Sequence, residues 1–111
     1  MSSRDAIIAR LTAESEKLSA AEQAEADFAT KRLYHTLATQ YGLLAEGLRQ
    51  AQTADELAEL TITFDRQAAV YQSQASIPNR FKGFNTTAAT FVKSVALEVL
   101  GLTEQAFGKA A

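Results

Sequence analysis

The chain of 111 residues contains no cysteine. That excludes disulfides, thiolate metal sites and cysteine nucleophiles, and it fits a cytoplasmic setting. Proline occurs once, at Pro78, and glycine five times, so helix breakers are scarce. No apolar run approaches the roughly 18 residues a membrane-spanning helix needs. The opening MSSRDAIIARL has no apolar stretch long enough for a signal peptide, because Asp5 and Arg10 interrupt it. These absences predict a soluble, cytoplasmic, helical protein without a transmembrane segment.

The chain also has a single histidine, His35. A di-iron bundle site needs Glu-x-x-His pairs on facing helices, and the residue three before His35 is Arg32. Ser-His-Asp chemistry needs a base held by an acid. No carboxylate stands three or four residues from His35, which reads as a surface histidine. Glu22, Glu25 and Asp27 read as a solvated helix face, and no phosphate-binding glycine loop is present. The expectation is a protein with no catalytic residues, no cofactor and no metal.

What is present describes a globular chain. Hydrophobic residues make up 47% and charged residues 22%, which places it outside the disordered class. Its length suits one helical domain over residues 1–111. A net charge of −2 argues against a general nucleic-acid binder. The charge is uneven: acids prevail up to Asp27, while Arg80, Lys82, Lys93 and Lys109 outnumber Glu98 and Glu104 from residue 80 onward. Opposite-signed ends packing together and two ordinarily solvated surfaces are both open readings.

The clearest periodicity runs from Ser19 to Gln52. Ala26, Leu33, Leu37, Tyr41, Leu44, Leu48 and Ala51 recur at steps of three, four or seven. At about 100° per residue they form one apolar stripe, with Lys31, Arg32, His35, Thr39 and Glu46 opposite. Before it, Ser3 is a suitable N-cap for a helix placing Ile7, Ile8, Leu11 and Leu18 on one side. Ser19-Ala-Ala-Glu22 has capping-box spacing and would start a new helix, although a single rod from Arg4 to Arg49 is equally open. Thr53-Ala-Asp-Glu56 repeats the capping-box pattern, with acids set against the positive end of the helix dipole. From there Leu57, Leu60, Thr61, Phe64, Ala68, Tyr71 and Ala75 make a second stripe. Ile62 and Val70 lie off it, flanking Arg66, as scattered surface residues or a small second contact face.

Pro78 should end this helix, since it lacks an amide donor and restricts Ile77. The last helix is expected to start at Asn85, Thr86 or Thr87 and to run to about residue 108. Ala88, Phe91, Val92, Val95, Val99, Leu102 and Ala106 make its main face. Ala89, Ala96, Leu100 and Phe107 widen that face to about 180°, more than a peripheral helix needs. Gly101 weakens the interior and marks a candidate kink.

The predicted fold is therefore all-α: an antiparallel bundle of three to four helices over about 3–18, 19–50, 54–76 and 86–108, oligomeric through the broad last helix. Ala96, Leu100 and Phe107 are the candidate oligomer face. Arg80, Phe81, Lys82 and Phe84 are the candidate partner or ligand residues of the 78–85 loop. They interleave cations with aromatics, which suits gripping a phosphate backbone while stacking on bases. In the other reading of this loop, the two rings fold back onto the end of the bundle and the cations stay in water.

The run AQTADELAELTITFDRQAAVYQSQ, residues 51–74, resembles phasins, the proteins that coat polyhydroxyalkanoate granules. The likeness rests on Glu56-Leu57, Phe64, Arg66 and the stretch Gln67 to Gln74. Alanine and glutamine richness and the lack of cysteine and tryptophan go with it. The resemblance implies that the Leu57–Phe64–Tyr71 stripe and the Phe91–Leu102 face open onto a lipid-like surface. Three functional readings follow. The first is a non-enzymatic interaction or scaffold protein that binds itself or another helical protein. The second is an amphipathic granule coat, and the third a small nucleic-acid accessory factor.

Overall fold

The computed structural model describes residues 4–77 and 79–107, with side chains described through Leu102. Four helices follow in order: α1 over Arg4–Ala24, α2 over Phe28–Gln50, α3 over Ala54–Ala75 and α4 over Lys82–Phe107. The fold is all-α and of the helical-bundle class. The chain divides into two compact units, Met1–Gln50 and Ala51–Ala111. In the first α1 packs on α2, and in the second α3 packs on α4.

The first unit is an antiparallel helical hairpin, tied at intervals along its length. Arg4 Nη1 donates to the Leu48 carbonyl at 3.1 Å and Ser15 Oγ to that of Ala38 at 2.7 Å. Nearer the turn, Lys31 Nζ donates to the Glu22 carbonyl at 2.8 Å. Ile7 and Leu11 from α1, with Leu37, Tyr41, Leu44 and Leu48 from α2, are buried, as their spacing requires.

The first helix boundary differs from the expectation of 3–18 and 19–50. Helix α1 runs straight through Ser19–Glu22, and the break falls at residues 25–27. The α2 cap is Asp27. Its Oδ2 accepts from the Thr30 amide at 2.9 Å and the Thr30 hydroxyl at 2.7 Å, while its carbonyl accepts from the Lys31 amide at 2.9 Å. Asp27 thus satisfies donors that a helix start leaves orphaned. Ser19 sits among alanines that continue a helix at no cost, so capping-box spacing alone does not interrupt it. Ala26, the first residue of the expected α2 stripe, consequently lies in the turn and is exposed. The expected cap at Ser3 lies outside the described residues.

In the second unit the cap at Thr53 forms as expected. Its backbone is extended, its hydroxyl oxygen accepts from the Glu56 amide at 3.1 Å, and the same hydroxyl donates to Glu56 Oε1 at 3.1 Å. Leu57, Phe64, Ala68, Tyr71 and Ala75 are buried, whereas Ile62 and Val70 are about half exposed. Helix α3 ends at Ala75, and Ser76 closes it with its amide donating to the Gln72 carbonyl at 3.1 Å. Pro78 itself lies outside the described residues.

Helix α4 begins at Lys82, several residues before the expected Asn85. Asn79 starts it: Oδ1 accepts from the Phe81 amide at 2.8 Å, and its carbonyl accepts from the Lys82 amide at 3.2 Å. The residues that resembled caps lie inside the helix. Asn85 is buried and its amide side chain donates to the Phe81 carbonyl, while the Thr86 hydroxyl bonds back to the Lys82 carbonyl at 2.8 Å. Ala88, Ala89, Val92, Val95, Ala96 and Val99 are buried. Gly101 does not end the helix, which continues to Phe107.

Burial pushes the Tyr71 phenol from its ordinary 10 up to about 12. The folded chain therefore prefers the protonated phenol. Between pH 10 and 12 the unfolded chain releases that proton first, so stability falls with rising pH. Denaturant titrations across this window are expected to show the decline. A Tyr71→Phe chain should lose that part of the slope.

Candidate interaction surfaces

The aromatic–cation group of the α3–α4 connection is assembled, but not as one loop. Arg80 and Phe81 lie in the connection, and Lys82 and Phe84 in the first turn of α4. The Phe81 and Phe84 rings are partly buried and tilted at 52°, with centroids 6.4 Å apart. The Arg80 guanidinium lies 4.7 Å from the Phe81 ring centroid. Both cations are exposed. The group therefore combines partly covered rings with two wet charges, one of them already stacked on a ring of its own chain.

Of the candidate oligomer face, Ala96 is 1% exposed and belongs to the core, whereas Leu100 is 43% exposed. The Phe107 side chain lies outside the described residues. Most of the unusually wide α4 arc is thus consumed in the interior, where Ala89 and Ala96 are small enough to let α3 approach closely. What stays in water is a narrower strip, and it includes Leu97, 59% exposed, which the sequence reading passed over. The signal was available: Leu97 stands four residues after Lys93 and three before Leu100, hence on their side of the helix. Lys93 Nζ meets Asp65 Oδ1 of α3 at 2.9 Å, which marks the register between the two helices.

The turn of the first unit holds a depression, open and about 340 Å³ in volume. It is lined by Glu22, Phe28, Lys31, Arg32, His35 and Thr36. His35 Nδ1 lies 3.2 Å from Glu22 Oε1, so the histidine does have a carboxylate neighbour. No local spacing could reveal it, because Glu22 comes from α1, thirteen residues away. Phe28 is 72% exposed at the rim, with the Arg32 guanidinium 5.9 Å from its ring centroid. Lys31 and His35 are engaged with Glu22, so this cluster fastens the hairpin turn.

Among the described residues, no group of three or more His, Asp and Glu side chains is placed to hold a metal ion. Nor is any helix among them long and apolar enough to cross a membrane. What the fold and surfaces define is an all-α protein whose exposed apolar side chains include a pair on α4. No family model matches the chain, and no curated protein or solved structure is found similar to it.

Proposed function

We propose that this is a non-enzymatic helical interaction protein of the cytoplasm that self-associates through the water-facing flank of α4. The observation that carries the reading is the exposure of Leu97 and Leu100 on one turn of that helix. Isolated surface leucines are ordinary, whereas grouped ones mark interaction sites. The lack of cysteine supports the cytoplasmic setting.

Light scattering after size exclusion tests it over a range of micromolar concentrations. The expected mass is a multiple of the 12.0 kDa chain, and Leu100→Glu should reduce it by placing a carboxylate in a contact that excludes water. Phe107→Glu is the companion variant. Unchanged mass and stability in both would overturn the reading.

Two other outcomes would redirect it. Flotation of a monomeric chain with liposomes would favour the amphipathic coat that residues 51–74 resemble. A salt-sensitive mobility shift abolished by replacing Arg80 and Lys82 with alanine would favour nucleic acid.

A further inference from the structure

The exposed α3–α4 face carries three zones in sequence along the helix pair. Towards the 76–81 connection lies a shallow groove of about 310 Å³ with Ala68, Ala69, Gln72 and Ala89 in its lining. At its edge stands the Asp65–Lys93 ion pair, both partners about half exposed. Beyond the pair, away from the connection, come Ile62 on α3 and Leu97 and Leu100 on α4, exposed by 50, 59 and 43%. The ion pair fixes this order. In antiparallel helices, stepping back from Asp65 to Ile62 and forward from Lys93 to Leu97 moves in the same direction. Residues three, four and seven apart lie on one helix face, so both steps stay on the side that bears the pair.

The geometry points to a two-fold dimer of this chain in which the α3–α4 faces meet with the axis running along the helices. This deepens the self-association proposed above and rests on it. A two-fold contact is isologous, so the patch must complement itself. Rotation about an axis along the pair lays α3 of one chain over α4 of the other and leaves the height along the helices unchanged. Each zone then meets a chemically matched one. Ile62 faces Leu97 of the second copy, and Asp65 faces Lys93 of the second copy. The grooves, lined by Ala68, Ala69 and Ala89 together with Gln72, face each other. A helix with its own direction reversed would instead set Asp65 over Asp65 and Lys93 over Lys93. Charge complementarity therefore selects the second copy, and it selects this orientation.

The test uses the full chain with Asp65→Lys and Lys93→Asp made separately. Alone, each variant sets like charges together both within its own chain and across the dimer, and its mass should fall towards that of the monomer. Mixed in equal amounts, the two variants still carry like charges within each chain, but every cross-chain contact now joins opposite charges. Recovery of dimer mass on mixing can therefore come only from contacts between chains. Orientation is read separately. The chain has no cysteine, so Ile62→Cys and Leu97→Cys introduce unique thiols. Mixing these two under mild oxidation should yield the mixed disulfide in preference to either self-linked product.

Recovery on mixing together with the mixed disulfide supports the dimer. A wild-type dimer whose charge variants keep its mass, or whose Cys variants prefer self-linkage, overturns this inference while leaving self-association standing. A wild-type mass of one chain at all concentrations overturns the parent reading itself. Far-UV circular dichroism checks that each variant is folded, and the Cys pair remains informative if a charge variant is not.

Discussion

Replacing Phe64 by alanine is expected to cost about 3–5 kcal/mol of folding free energy, the range for truncating a buried aromatic. Phe64 is the largest fully buried side chain among the described residues and has no exposed surface. The Asp65–Lys93 contact marks a register that puts it level with the Val92–Ala96 turn of α4, where Val92, Val95 and Ala96 are themselves buried. Valines and alanines are short and stiff, so they cannot reach into the space a benzyl group vacates. The cavity term then adds to the lost transfer energy. Natural domains hold only about 5–15 kcal/mol in total, so the variant should sit near the edge of folding. Urea denaturation followed by circular dichroism measures the difference. A loss below about 1 kcal/mol would mean that the surroundings collapse onto the site.

The second large effect contrasts two leucines of α2. Leu48 has no exposed surface, while Leu43, five residues earlier, is 66% exposed. Truncating Leu48 to alanine should cost about 2–5 kcal/mol. Leu43→Ala should stay within about 0.5 kcal/mol of wild type, because the transfer term is absent and alanine suits a helix at least as well. Leu48 carries a further duty, since its carbonyl accepts the hydrogen bond from Arg4 that ties the start of α1 to the end of α2. That bond uses the backbone and survives the truncation, so the measured loss reports packing. Equal losses for both leucines would mean that burial does not set the energy of this helix.

Much of the interior was legible in advance. Leu57, Phe64, Ala68, Tyr71 and Ala75, and Leu37, Tyr41, Leu44 and Leu48, were marked by spacing alone, and all are buried. An apolar stripe on a helix has one way to leave water. Thr53 was equally legible as a cap, because its partner lies only three residues along the chain. Asp27 and Asn79 were not. Each competed with a neighbouring pattern, Ser19-Ala-Ala-Glu22 and Asn85-Thr86-Thr87, that local rules rank as highly. The candidate surfaces split in the same way. Leu100 stands in water as a contact residue must, but Ala96 is spent in the core, and Leu97, which spacing did not mark, is 59% exposed.

The sequence by itself determined that the chain is helical and where most of its apolar stripes lie. These depend on residue type and on spacings of three, four or seven, which any helix reads alike. The tertiary structure alone decided where the first break falls, how much of the α4 arc remains outside, and that Glu22 meets His35 and Asp65 meets Lys93. Those outcomes depend on the register between helices, and register is set by the sum of many packing contacts that no local pattern encodes.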